Sequence, residues 1–237
     1  MTQNLDGFCY AVRSVVSDAV DLVYPPRCIV CKGMASQRVP LCMSCCQSLD
    51  RPLVDEVIRH IAAKNPEPAV DAAFALWIFE KNGPVQQIHR ELKYGNRPYY
   101  GEIMGRIAGR EIRESGGAQF DLIVPIPLHR SRFHDRGYNQ SETIALGIQS
   151  ILEMPLDASA LIRTRRTRSQ TGLSMSSRLE NVENAFGVGR NPVPVGANVL
   201  LVDDIITTGS TVCSAARVLK ESGVRSVTVA GVGFARV

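Results

Sequence analysis

The chain has 237 residues, 45% of them hydrophobic, enough for a full core and a small second module. Its formal net charge of +4 is too small for a uniformly basic surface, and no apolar stretch is pure and long enough to insert in a membrane. Between Ile126 and Arg178 eight arginines face four acids, an excess equal to the whole net charge. That concentration fits either one anionic ligand site or a solvated arginine-rich loop.

In chain order, Leu5, Phe8, Val12, Val15, Val16 and Val20 recur at helical spacing, interrupted by Asp6, Arg13, Asp18 and Asp21. This pattern predicts an amphipathic helix docked on the protein, with neither the basic leader nor the cleavage site of a signal peptide. Seven cysteines in a chain of cytosolic character are expected to be metal ligands and thiols rather than disulfides. Cys28-Ile-Val-Cys31 and Cys42-Met-Ser-Cys45 are two C-x-x-C knuckles ten residues apart, a spacing that places four thiolates around structural Zn²⁺. Cys46 is an alternative fourth ligand. A redox pair would follow a strand and open a helix, a context lacking here. Cys9 and Cys213 are expected as buried small hydrophobes.

Pro52, Pro66 and Pro68 punctuate a helical segment and a loop, which places a soft domain boundary near residue 70. Residues 1–70 are expected to hold the N-terminal helix and the four-cysteine module, and 71–237 the main domain. A strand is predicted over 73–79, a helix over 85–93 entered through Gly83-Pro84, and a second helix over 99–115. Lys93 and Arg97 read as surface cations or as anion contacts. Residues 120–127 predict a buried strand running into a proline-stiffened turn. Residues 128–140 then predict a loop carrying Arg130, Arg132, Arg136, His129 and His134, and Ser141 is the expected N-cap of a helix reaching Glu153. The two histidines read as general acids or as polar loop groups.

A short strand from Leu161 is predicted to become a basic, hydroxyl-rich loop to Gly172, followed by a helix carrying Arg178 and Asn181. Val199 to Val202 form an apolar run suited to a strand buried on both faces, with Asp203 and Asp204 at its end. The turn Thr207-Thr208-Gly209-Ser210-Thr211 and a helix over 212–222 follow. Free N–H groups at that helix start suit a phosphate monoester, with the two acids in reach of vicinal hydroxyls on the sugar carrying it. The last strand is predicted over 226–234.

Residues 198–211 resemble the phosphoribosyl-diphosphate (PRPP) signature of type I phosphoribosyltransferases: four hydrophobic residues, two acids, two hydrophobic residues and a Thr/Gly/Ser loop. Neither the Gly-Lys-Ser/Thr ending of a P-loop nor the G-x-G-x-x-G of a dinucleotide site is present. The resemblance implies an α/β fold, a parallel sheet flanked by helices. It implies PRPP bound through Asp203, Asp204 and Thr207 to Thr211, with Mg²⁺ accompanying the ligand. Arg130, Arg132, Arg136, Arg163 and Arg168 would meet the diphosphate. Arg165 and Arg166 would lie on a mobile loop and join the two aspartates in catalysis. Purine-salvage enzymes carry an aspartate at the position of Thr207, so the acceptor here is expected to differ.

Across nearly the whole chain the blocks resemble the ComF/GntX family of phosphoribosyltransferase-like proteins. They are Pro25-Pro26-Arg27-Cys28-x-x-Cys31 with Leu41-Cys42-x-x-Cys45, Leu92-Lys93-Tyr94, Val124-Pro125-Ile126-Pro127-Leu128-His129-Arg130-x-Arg132 and Arg136-Gly137-Tyr138-Asn139-Gln140-Ser141. Thr167-x-Ser169-Gln170-x-x-Leu173, Arg178, Asn181, Ala185-Phe186 and the PRPP signature complete them. This resemblance implies a cytoplasmic bacterial protein linked to DNA uptake and natural transformation, with single-stranded DNA and competence or recombination proteins as partners. Two readings follow: a phosphoribosyltransferase with an unidentified acceptor, or a non-catalytic module that senses PRPP or a nucleotide while binding single strands or proteins. For stacking bases, Phe133 and Tyr138 are the aromatic residues near the basic loops.

Overall fold

The computed structural model describes residues 27–35, 41–116, 119–164, 185–191 and 193–236. The expected N-terminal helix with Cys9, the loop residues Arg165, Arg166 and Arg168, and the helix carrying Arg178 and Asn181 lie outside the described residues. The chain divides into two compact units, with the break between Ser48 and Leu49.

In the smaller unit, Arg27 and Met34 form a bridge closing the first cysteine knuckle, and Cys42 leads into α1 (Met43–Ser48), which carries Cys45 of the second. The larger unit begins with α2 (Glu56–Lys64), ahead of the boundary expected near residue 70. The prolines do punctuate this stretch, but Val57 and Ile61 belong to the core shared with the sheet, and burial of that face fixes the helix to the larger unit.

The sheet is built from β1 (Ala72–Ile78), β2 (Leu122–Pro125), β5 (Asn198–Ile206) and β6 (Ser226–Phe234), all parallel, in the order β1-β6-β5-β2. Pro125 lacks an N–H and sits on β2, an edge strand, where that loss is tolerated. A separate antiparallel pair joins β3 (Leu161–Arg163) to β4 (Phe186–Val188). Helices α3 (Pro84–Tyr94), α4 (Pro98–Glu114), α5 (Arg130–Arg136), α6 (Gln140–Leu152) and α7 (Ser210–Glu221) complete the unit. Val199 to Val202 are fully buried on the central strand β5, with Val212, Ala215, Ala216 and Leu219 of α7 in the same core. Among the described residues no helix is long and apolar enough to cross a membrane.

Four local expectations need correction. Residues 130–136 form α5 rather than loop; none of its side chains is buried, so no apolar period announces it, and His129 caps it by accepting the Ser131 N–H. Asn139, not Ser141, caps α6: its Oδ1 accepts the Ser141 N–H at 3.2 Å. The strand predicted over 120–127 is confined to the four residues of β2. Finally, β5 does not stop at Val202 but continues to Ile206, so both aspartates are strand residues.

Candidate functional site

Ladder pairing carries β5 two turns of the pleat beyond its apolar run. Asp203 faces Gly231 and Ile205 faces Gly233 on β6, and the space left by the missing side chains is filled by Ile206 over Gly231 and by Ile205 and Val85 over Gly233. Thr207 to Gly209 then turn the chain into α7, with Gly209 at φ 78°, the left-handed conformation that glycine adopts without strain. A side chain there would also collide with Ile61, its Cβ only 2.8 Å from Ile61 Cγ1. Helix α2 holds this loop by a second contact. The buried Asn65 carboxamide donates to the carbonyls of Ile61 and Thr208, both at 2.8 Å. Thr208 Oγ1 and Ser210 Oγ lie 2.9 Å apart and buried, so one hydroxyl donates to the other and one proton of the pair is left for a ligand. Thr207 and Thr211 are half-buried.

Consecutive residues of a strand project to opposite faces, and the two acids find different partners. Asp203 Oδ1 accepts the Ser141 hydroxyl of α6 at 3.0 Å and the Asp204 N–H at 2.9 Å. Burial first, and then the neighbouring Asp204 charge, push the Asp203 carboxyl up to about 7. Asp204 Oδ2 instead meets α3, accepting from His89 Nε2 at 3.1 Å and pairing with Lys93 Nζ at 3.3 Å. Its Oδ1 accepts the Ile205 N–H. Burial by itself would raise this carboxyl; the Lys93 ammonium and the His89 hydrogen bond outweigh it and hold Asp204 well below the usual carboxylate range. The two acids therefore do not present a matched pair to one diol. Lys93 is paired with Asp204 rather than being a free surface cation. His89, read from the sequence only as part of a helix, meets the same acid; its signal was the i, i+4 spacing to Lys93, which puts both on one face.

Around Asp203 the basic residues are unevenly placed. Burial pulls the half-buried Arg163 guanidinium below its ordinary value, Arg132 adds to that, and Asp203 opposes both, which puts the three charges in one field. The Arg163 guanidinium also lies 5.1 Å over the Phe186 ring. Arg136 donates to Gln140 Oε1 at 3.0 Å and stacks 5.7 Å over Tyr94. Arg130 is exposed at the start of α5. Of the two loop histidines, His129 serves as a cap and His134 is exposed.

In the smaller unit the sulfurs of Cys28, Cys31, Cys42 and Cys45 all lie within 4.8 Å of one another. Cys31 Sγ and Cys42 Sγ are 3.7 Å apart. A tetrahedron of Zn–S bonds of 2.3 Å has edges of about 3.8 Å, so the four thiols fit zinc. The Ser44 hydroxyl and then the Cys45 amide pull Cys42 down to about 6. Burial first and then hydrogen bonds with the other three thiols push Cys45 up to about 12. Four sulfurs this close ionise together only around a cation. Cys46 is outside the group, which removes it as the alternative ligand. Cys213 is buried and its thiol is pushed up to about 11 by burial, as befits a small core residue.

Comparison with known proteins agrees with both halves. Residues 137–233 match the phosphoribosyl transferase domain, and residues 19–65 match the double zinc ribbon domain. The protein is 35% identical over 151 residues to the DNA utilization protein YhgH of Escherichia coli (strain K12), covering 62% of this chain and 65% of the relative, just under two thirds of its length. The Salmonella typhimurium protein of the same name is 31% identical over 228 residues, 94% of this chain and 95% of that one. Competence protein F of Haemophilus influenzae is 30% identical over 158 residues, 64% and 69% of the two chains. With a zinc ribbon ahead of a phosphoribosyltransferase domain and relatives alike over almost their full length, the chain belongs to the ComF/GntX family of phosphoribosyltransferase-like proteins.

Proposed function

We propose that the site at the end of β5 binds PRPP and transfers its phosphoribosyl group to an acceptor, releasing diphosphate. The observation carrying this reading is the junction itself: a buried strand carrying two acids ahead of its last turn of pleat, a glycine at φ 78°, and the start of a twelve-residue helix. The 5-phosphate would sit on the N–H groups from Thr208 to Thr211, helped by the α7 dipole. Thr207 and the spare proton of the Thr208–Ser210 pair would complete its cradle. Asp203 would accept a ribose hydroxyl, with Asp204 fixed behind it.

In the transfer, the bond from C1 of the ribose to the diphosphate oxygen breaks as the acceptor's lone pair forms a bond to C1, through an oxocarbenium-like state. The leaving diphosphate carries away the electron pair. Arg163, which shares a field with Asp203 and with Arg132, would neutralise the departing charge together with Arg132, and Arg130, Arg136 and the capped start of α6 would add to it. Arg165, Arg166 and Arg168 follow β3 in sequence and would close over the ligand. Mg²⁺ arriving with PRPP would supply charge neutralisation for the leaving group; no side chain of this protein is assigned to it. Reduced cysteines grouped as zinc ligands support a cytoplasmic location.

The test is calorimetric titration of PRPP with Mg²⁺, followed by diphosphate release across a panel of acceptors. The wild type should bind, and Asp203→Asn should lose affinity by at least about tenfold, 1.4 kcal/mol, together with any release. A wild type that binds no PRPP overturns the reading.

One observation favours a second role, as a single-strand-binding module. Tyr94 is 74% exposed beneath the Arg136 guanidinium, and Tyr99 and Phe133 are also exposed, an aromatic and basic surface suited to stacked bases. Tyr138, an earlier candidate, instead spends its hydroxyl on the Leu92 carbonyl. Relatives named for DNA utilization and competence add weight to this role. Single-strand binding weakened by salt and by Tyr94→Ala, without diphosphate release, would establish it over transfer.

A further inference from the structure

The acid pair on β5 is unequal because α3 attends to one member. His89 Nε2 and Lys93 Nζ converge on the same oxygen, Asp204 Oδ2, at 3.1 and 3.3 Å. The other oxygen of Asp204 takes the Ile205 N–H at 2.7 Å. The three side chains are largely shielded, 17% exposed for His89, 22% for Lys93 and 15% for Asp204. His89 is further braced by Phe79, whose ring meets it edge-on at 5.7 Å. Asp203 has the opposite arrangement. Both of its bonds, from Ser141 and from the Asp204 amide, go to Oδ1, and Oδ2 has no partner among the described residues.

Two adjacent carboxylates repel, and a proton or a cation must stand between them. Here the cation is supplied from α3, one face of which carries both His89 and Lys93. We infer that Lys93 and His89 are positioning residues of the ligand site, holding Asp204 to α3 as a paired anion so that Asp203, through Oδ2, is the acid that meets the ligand. The inference rests on the PRPP reading for the ligand's identity, but the division of labour between the acids is independent of it.

The charged groups facing Asp203 are Arg163 from β3, Lys93 from α3 and Asp204 itself, with the Ser141 hydroxyl from α6. Removing the Lys93 charge leaves the His89 hydrogen bond as the remaining side-chain hold on Asp204 Oδ2, so Asp204 becomes easier to protonate and its titration approaches that of Asp203. Lysine at position 93 acts without touching the ligand, so its removal should alter the pH profile as well as the affinity.

Two measurements test this on the full chain. The first is the pH titration of carbon-13-labelled aspartate carboxyls by NMR, with Asp203→Asn used to assign the pair. In the wild type, the Asp204 signal should stay fixed between about pH 5 and 9 while that of Asp203 titrates near neutrality. In Lys93→Met, and in Lys93→Gln should the methionine variant fold poorly, the two signals should move together. The second is calorimetry with PRPP and Mg²⁺ at pH 8. Lys93→Met should weaken binding by about tenfold and His89→Gln by about threefold, with Lys93→Arg recovering most of the loss. Signals in Lys93→Met identical to wild type overturn the inference. So does PRPP affinity in Lys93→Met equal to that of a wild type that binds. A wild type that binds no PRPP, yet shows the split titration and its loss in Lys93→Met, sinks the ligand reading and supports the α3 clamp.

Discussion

Asp203 makes the protein's stability depend on pH in a direction opposite to that of salt-bridged acids. Its carboxyl rises from an ordinary 3.8 to about 7 on folding, so the folded state holds a proton that the unfolded chain releases. The stability gained from that proton is complete below about pH 4, declines as pH rises toward 7, and is gone above it. Asp204 runs the other way: its carboxyl is lowered, and its contribution is present above about pH 4 and lost on further acidification. Asp203→Asn keeps an oxygen for the Ser141 hydroxyl and the Asp204 amide while removing the charge. The variant should match the parent near pH 4 and exceed it by about 2 kcal/mol at pH 8, half of the full shift because the side chain is half-buried and Lys93 shares the field. Urea unfolding at pH 4, 6 and 8 measures this, and a difference independent of pH would show that Asp203 is ionised throughout.

Helices α4 and α6 pack so closely that side chains have been dispensed with along the seam. Gly101, Gly105 and Gly109 follow one another at four-residue intervals on α4, and Gly147 answers from α6. A Cβ on Gly105 would stand 2.0 Å from the Ile144 carbonyl oxygen and 2.9 Å from Gly147 Cα, both backbone atoms that cannot step aside. Gly105→Ala raises helix propensity by about 1 kcal/mol, and the collision should outweigh it, for a net loss of about 3 kcal/mol. Thermal unfolding that shows stabilisation would mean that the helices part freely. In the sequence this spacing carries no packing signal of its own, because glycines in a helix announce nothing about their partner. The strand–turn–helix of residues 198–221 was legible for the opposite reason: its apolar run, acids and hydroxyl loop are local and contiguous. The reach of β5 past its apolar run was not, since it follows from ladder pairing with β6, which the run itself does not encode. Nor was the Asp204 clamp, whose partners lie 115 residues apart and meet only because β5 and α3 end together. Helix α5, with no buried face, left no periodic trace at all.

At the scale of the whole molecule, two kinds of cohesion are joined in one chain. The core of the larger unit, from Val57 to Phe234, takes no member from residues 27–48 and rests on apolar burial. Among the described residues of the smaller unit few apolar side chains are buried; they are Cys28, Ile29, Ala35, Leu41 and Cys45, and two of these are ligands. The order of the two knuckles should therefore come largely from the metal, whose binding supplies on the order of 10 kcal/mol in comparable peptides. Zinc analysis of untagged protein should therefore return about one ion per chain. Chelation should collapse amide protection over residues 41–48 while β1, β5 and β6 keep theirs in hydrogen exchange. Cys42→Ser removes the thiol most readily ionised and should lose the zinc with the same local pattern. If chelation instead melted the parallel sheet as well, the metal would be supporting the larger core, and apolar burial would no longer account for its stability.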